Sequence, residues 1–138
     1  MSLGDDIAAV LPELRAQAES MMRDTVRVER DTGTTEPDPV TLEEAPVFAL
    51  VHEGRGRVQR SGQVAPSEQV AGEVEFGIGT PLVQLPLSVV GVKRGDRVTV
   101  TAVDAQSDPD LLGLTATVMA NLTKSHPTKR TLVCEEVT

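Results

Sequence analysis

The spacing of apolar and polar residues predicts one N-terminal helix followed by short strands. From Gly4 to Arg23 the apolar positions recur every three or four residues, which puts them on one face of an amphipathic helix. From Asp24 to Arg30 apolar and charged residues alternate, which is typical of a strand with one buried and one wetted face. The apolar helix positions are Ile7, Val10, Leu11, Leu14, Ala18 and Met21.

Pro12 is the residue that conflicts with a continuous helix. A proline inside a helix removes one hydrogen bond and clashes with the preceding turn. The helix therefore either kinks at Pro12 or begins near Leu11, with Pro12 in its first turn. The apolar face has two interpretations as well. It packs against the protein's own sheet, the commoner arrangement, or it contacts a neighbouring subunit.

The segment from Val70 to Val103 has the clearest β pattern. After a turn at Gly95 and Asp96, Val98 and Val100 alternate with threonines, so the valines share one face. Further strand candidates are 47–51, 52–60, 82–87, 114–122 and 130–137, separated by Gly, Pro and polar turns such as 104–110 and 124–129. This pattern predicts a mainly β protein, a small antiparallel barrel in a single domain of residues 1–138, with the helix over 4–23 and the barrel over 24–138.

Two segments have no apolar period and are predicted to be loops. Residues 31–46 contain three prolines and a run of acids, which suggests a long loop or mobile arm. Residues 61–68 are rich in Gly, Ser and Pro and give a second loop. In the 82–87 segment, Pro81 and Pro86 cannot donate ladder hydrogen bonds, so we expect either a bulge or an edge strand, and an edge strand is open to a partner chain.

Composition narrows the range of partners. The chain has 138 residues, and only 1% of them are aromatic, namely Phe48 and Phe76, so the core must be aliphatic. A core of small side chains buries less area each, which hints at oligomerisation. The formal net charge of −8 and the pI near 4.7 disfavour binding to nucleic acid, because that binding depends on Lys and Arg. A platform for stacking bases is also missing.

No residue pattern predicts catalysis, a cofactor or a metal site. Gly77 to Gly79 lacks the lysine and following helix of a phosphate-binding loop. His52 and His126 are far apart in the sequence, and Cys134 lies in an ordinary strand, so neither a metal site nor a Cys–His nucleophile is supported. We therefore expect a protein that is not an enzyme.

Cysteine usage and hydropathy bear on location. A single cysteine cannot form an intrachain disulfide, and it fits a reducing cytoplasm. No apolar run is long enough to span a membrane, and the start of the chain lacks a basic signal-peptide region. We expect no association with membranes.

Arg55, Arg57 and Arg60 form a basic cluster that is local in sequence. A solvated or salt-bridged surface is the commoner explanation for such a cluster. The alternative is a surface that docks onto an acidic partner.

Three blocks of the sequence, taken together, resemble a family of neck proteins from tailed phages of actinobacteria. They are SLGDDIAAVLPELRAQAESMMRDTVRVER, LPLSVVGVKRGDRVTV and SHPTKRTLVCEEVT, in the order found in that family. The resemblance implies a head-to-tail stopper or connector, in which barrel subunits form a ring of six or twelve copies. The ring would lie below the portal and adaptor, retain packaged DNA that passes through its lumen without specific binding, and dock the tail terminator or tail tube. The resemblance brings no active-site residues. It implies location in the virion neck after assembly in the host cytoplasm.

Two other functions remain open at this stage. A tail terminator or other head–tail joining protein is the nearest alternative. A monomeric SH3-like or OB-like binding module belongs to another class, and the scarcity of aromatics counts against its usual ligands.

Overall fold

The computed structural model describes residues 3–60 and 80–137, which form one helix, six strands and a short 3-10 helix. The helix α1 is Leu3–Ser20. The strands are β1 (Asp24–Pro37), β2 (Glu44–Arg60), β3 (Pro81–Leu85), β4 (Arg97–Ala102), β5 (Thr115–Leu122) and β6 (Arg130–Glu136), and the 3-10 turn is Pro109–Leu111. The predicted loop at 61–68 lies outside the described residues.

The six strands close into an antiparallel barrel in the order β1-β2-β3-β6-β5-β4. The closing pair is β1 with β4, in which Val28 lies opposite Val98. Because every neighbouring pair is antiparallel, β1, β3 and β5 run in one direction and the other strands run in the opposite one. The connections β1–β2, β3–β4 and β5–β6 therefore share one end of the barrel, which we call the hairpin end.

Alternating residues from every strand fill the interior. In β1 and β4, for example, the inward valines are fully buried while the residues between them are only partly covered. The inward set is Val26, Val28, Val58, Val83, Leu85, Val98, Val100, Ala116, Val118, Leu132 and Cys134. Small barrels are normally filled by side chains in this way. The predicted mainly β fold with an aliphatic core is confirmed.

Helix α1 continues through Pro12, so the helix does not begin there. Its inner side buries Leu11, which is 8% exposed, while Val10 and Leu14 are about half exposed. Arg15 Nε donates to the Pro127 carbonyl at 3.1 Å, which ties the helix to the β5–β6 turn. The helix thus packs on its own barrel but leaves part of its apolar face open.

The prediction of a loop over 31–46 is wrong for most of its length. β1 continues to Pro37 and β2 begins at Glu44, with Thr35 paired to Pro46 and Pro37 paired to Glu44. Both faces of this two-stranded ribbon are open to solvent. Residues 31–37 and 45–46 therefore show no alternation of apolar and polar side chains. Sequence periodicity detects a buried face, and this ribbon has none.

The prediction of an open edge strand near Leu82 is also wrong. β3 pairs with β2 through Val83 and Val58, and with β6 through Val83 and Leu132. Pro81 is the first residue of the strand and Pro86 follows its last, so neither proline interrupts the ladder. Closure of the barrel leaves β3 no free edge.

Candidate docking hairpin and basic rim

The β1–β2 hairpin projects beyond the barrel and ends in two exposed apolar side chains. Residues 31–37 are all exposed. At the tip, Val40 is 88% exposed and Leu42 is 79% exposed. Opposite Asp31 to Pro37, β2 contributes the five residues from Glu44 to Phe48, so at about 3.3 Å per residue the ribbon carries this tip on the order of 15 Å from the barrel end. Among residues 3–60 and 80–137, no large apolar side chain covers the tip.

The tip is a defined turn organised by Asp38. Its carboxylate Oδ1 accepts the amides of Val40 at 2.7 Å and Thr41 at 3.1 Å. These two bonds lower the pKa of Asp38. The Asp38 amide donates to the Glu43 carbonyl and the Leu42 amide donates to the Asp38 carbonyl, both at 2.8 Å. The apolar side chains are therefore presented by a hydrogen-bonded turn.

Leu42 has a left-handed backbone, with φ of 62°. This conformation costs roughly 1–2 kcal/mol for a residue with a Cβ, and glycine or asparagine usually fills it. A leucine that is both strained and exposed contributes nothing evident to folding. Such strain is a reason to look for a function at that position.

Arg30 and Asp96 fasten the base of the hairpin to the β3–β4 connection. Asp96 is 2% exposed, and its two oxygens accept from Arg30 Nε and Nη2, each at 2.9 Å. The Lys93 amide donates to Asp96 Oδ2 at 2.8 Å, and Arg30 Nη2 also donates to the Gly91 carbonyl. Burial opposes ionisation of Asp96, but the bonds from Arg30 and Lys93 outweigh it and lower its pKa.

Arg97 fastens the hairpin base from the neighbouring strand. Its guanidinium carbon lies 3.6 Å from the centre of the Phe48 ring, on β2. Its Nη2 donates to Glu29 Oε1, on β1, at 3.2 Å. One side chain from β4 thus contacts both arms of the hairpin, a cation–π contact on one and an ion pair on the other. With the Arg30–Asp96 pair, this contact fixes the direction in which the ribbon leaves the barrel.

The β3–β4 and β5–β6 connections carry four cations and two exposed apolar residues at the hairpin end, and we call this surface the basic rim. Its members are Lys93, Arg94, Lys124 and Lys129, with Val90 and Leu122. Asn121 Nδ2 donates to the Val92 carbonyl at 3.1 Å, which joins the β3–β4 connection to the end of β5. Within the described ranges, none of the four cations forms an ion pair.

The sequence gives little sign of the basic rim, because its members come from two turns about 30 residues apart. One signal is present: residues 86–95 and 121–130 contain cations but no Asp or Glu, in a chain of net charge −8. The sequence instead points to the arginines of β2. Arg55 pairs with Glu19 at 3.3 Å, and Arg60 pairs with Glu136 at 2.9 Å. Arg57 donates to the Met21 sulfur. These contacts support the salt-bridged interpretation of the β2 cluster.

The residues considered for chemistry do not assemble into a reactive site. Cys134 faces the core, and burial raises the pKa of its thiol to about 12, which makes it unreactive. His126 lies on the exposed β5–β6 turn, and His52 lies on β2. Across residues 3–60 and 80–137 no group of three His, Cys, Asp or Glu is placed to hold a metal ion. In the same ranges no helix has both the length and the apolar character to cross a membrane. The Gly77 to Gly79 segment, which was compared with a phosphate-binding loop, lies outside the described residues.

Comparison with known proteins identifies a family and a fold. The chain belongs to the family described as "Family of unknown function (DUF6093)", whose model matches residues 14–135. The solution structure of protein SF1141 from Shigella flexneri 2a is similar, with a TM-score of 0.57 and 19% identity, over 84% of this chain and 93% of that chain. At this identity the similarity shows the fold alone. No curated protein matches the chain.

Proposed function

We propose that this chain is a structural protein of a phage neck, a head-to-tail stopper that forms a ring below the portal and adaptor. The ring retains packaged DNA and docks the tail. The proposal rests on the resemblance of the blocks 2–30, 85–100 and 125–138 to neck proteins of actinobacterial phages. It draws further support from a small closed barrel that carries a projecting docking element.

The observation that carries the proposal is the hairpin with its exposed apolar tip. A monomer gains nothing by holding Val40 and Leu42 in water at the end of a ribbon, least of all with Leu42 in a left-handed conformation. Exposed apolar residues on a defined projection are typical of surfaces that bind another protein. The contacts of Arg30 and Arg97 at its base hold the projection in place before binding, which lowers the entropy cost of assembly.

Passage of DNA has to use the centre of the ring. The barrel of each subunit is filled by aliphatic side chains, so it leaves no channel. Each copy carries a formal charge of −8. A lumen lined by acidic surfaces repels phosphates and lets DNA slide without sticking.

A tail terminator is the second candidate within the neck, because it would use the same barrel and the same docking hairpin. A monomeric binding module is less well supported. Modules that bind proline-rich peptides or single strands present aromatic rings. Phe48, the one phenylalanine in the described part of the chain, lies under Arg97.

Deletion of the gene from a phage that encodes this chain tests the proposal. A stopper predicts heads that package DNA, then leak it and fail to join tails. Complementation with Val40→Ser/Leu42→Ser should restore much less infectivity than complementation with Leu50→Ser, a control at an exposed leucine of β2. Heads that stay empty would assign an earlier role. Heads that keep their DNA but lack tails would assign the tail terminator role.

A further inference from the structure

We infer that the hairpin of one copy docks onto the basic rim of the next copy. This inference deepens the proposed function and rests on it for the presence of a ring. The occupant of the rim is thus a second copy of this chain, seated through residues 36–44.

Charge complementarity is the first support. The hairpin segment 31–46 contains five acids and no Lys or Arg, whereas the rim presents four cations without an ion pair among the described residues. The five acids are Asp31, Glu36, Asp38, Glu43 and Glu44. Opposite patches of this kind steer subunits together and set the register of the contact.

Apolar complementarity is the second support. The tip offers Val40 and Leu42, and the rim offers Val90, which is 71% exposed, and Leu122, which is 45% exposed. In the part of the chain that the structure describes, all four side chains remain at least 45% exposed. Joining the two pairs would bury apolar surface at the centre of the contact and leave the charges around it, the usual organisation of a protein interface.

The geometry favours contact between copies over contact within one. Strand pairing from Asp31 to Pro37, interrupted by one irregularity between Asp31 and Thr35, carries the tip away from the barrel and from its own rim. A contact between two different surfaces is either reciprocated in a two-fold pair or repeated head to tail, and head-to-tail contacts form a ring when the rotation closes.

A single hairpin contact is small. A hairpin tip buries less than the ~800 Å² per partner of a standard interface, so one contact alone is weak and closure of the ring or an adaptor template adds to it. We therefore expect monomers and short chains in dilute solution. The contact should also weaken with added salt, because its charges are exposed.

Disulfide trapping with the full chain tests the inference. The one native cysteine, Cys134, is buried, so any disulfide that forms between chains involves only the introduced cysteines. In one reaction the Leu42→Cys chain is mixed with the Leu122→Cys chain, and in a second reaction it is mixed with the control chain Leu112→Cys. Leu112 is more exposed than Leu122, at 56%, and lies in the β4–β5 connection at the other end of the barrel. The rim pair should cross-link about tenfold faster than the control pair, because docking raises the effective concentration. A chain with both Leu42→Cys and Leu122→Cys should give a ladder of oligomers.

Charge reversal supplies the second measurement. Lys124→Glu/Lys129→Glu in the Leu122→Cys chain should reduce the rim cross-link to the control rate. Glu43→Lys/Glu44→Lys in the Leu42→Cys partner should restore it. Circular dichroism checks that each variant folds.

Three results would overturn the inference: equal rates for Leu122→Cys and Leu112→Cys, a predominance of Leu42→Cys homodimers, or no rescue by the paired reversal. A further outcome is that the rim binds duplex DNA while Glu43→Lys/Glu44→Lys has no effect on the cross-linking rate. In that case the rim is a surface for nucleic acid and not for a second copy. If the double-cysteine chain gives a ladder of oligomers in solution but the protein is absent from the neck, the proposed function is wrong and the hairpin–rim contact stands.

If the protein forms a ring in the neck through other surfaces, the hairpin–rim contact is wrong and the proposed function stands.

Discussion

The barrel and the hairpin are built from the same strands but obey different rules. Val26 and Val28 of β1 are fully buried in the barrel, whereas a few residues later every position of the same strand is exposed. In the barrel, burial of apolar area holds the strands together. In the hairpin, a hydrogen-bonded ladder and the contacts of Arg30 and Arg97 at the base maintain the shape. The barrel residues therefore stabilise the fold, whereas the hairpin residues form an exposed surface.

Truncation of one leucine in each region should show the largest contrast. Leu132→Ala empties a site that is 0% exposed and should cost about 2–5 kcal/mol of unfolding free energy. Leu42→Ala changes a side chain that is 79% exposed and should stay within about 0.5 kcal/mol of the parent. Urea unfolding of both variants measures the difference. Equal losses would mean that the tip packs on the barrel.

The Arg30–Asp96 contact joins the two regions and should depend on pH. Asp96→Asn should cost about 1.5–3 kcal/mol at neutral pH, because a buried carboxylate loses its charged bonds. Since the pKa of Asp96 is lowered, its contribution is present above its unfolded-state pKa of about 3.9 and is lost as pH falls through the folded-state value.

Unfolding free energy measured from pH 7 down to pH 2 checks this sign. The parent should lose stability more steeply than Asp96→Asn below about pH 4. Asp38 and Glu136 also have lowered pKa values, so a shallower acid loss should remain in the variant. Parallel curves for parent and variant would contradict the role given to Asp96. Asp110→Asn, at an exposed position, is the matched control.

Gly56 begins the buried part of β2, and Gly54 lies two residues earlier in its more open part. A Cβ at Gly56 would lie 3.0 Å from Val26 Cγ2 and 3.1 Å from the Gln84 carbonyl oxygen. Gly56→Ala should therefore cost about 1–3 kcal/mol by overpacking. At Gly54 the Cβ would lie 3.2 Å from two atoms of the His52 ring and near no backbone atom, so Gly54→Ala should cost less than Gly56→Ala. Thermal unfolding distinguishes the two, and a larger loss at Gly54 would refute the comparison.

The smallest effect on the whole chain should come from Asp38→Ala. This change removes the two bonds from the Asp38 carboxylate to the Val40 and Thr41 amides, so the turn should open more readily. Amide exchange at residues 40–43 should accelerate while the core valines stay protected, because local opening is independent of the barrel. Faster exchange in the core as well would show that the hairpin and barrel unfold as one unit.

Sequence alone predicts the parts of this fold that have a buried face. α1, the first half of β1 and β4 follow from their periods, and the core valines follow with them. The outer part of the β1–β2 hairpin cannot be predicted in this way, because both of its faces are exposed and its sequence has no apolar–polar alternation. The pairing of β3 on both sides depends on contacts distant in sequence, so its prolines misleadingly suggest an edge. The basic rim escapes prediction for the same reason.

Reconstruction of an intact virion neck by cryo-electron microscopy tests the central claim most directly. We expect this chain as a closed ring below the portal and adaptor, with Val40 and Leu42 of each copy buried against Val90 and Leu122 of its neighbour. A neck without this chain, or a ring in which the hairpin tips remain in solvent, would contradict the account.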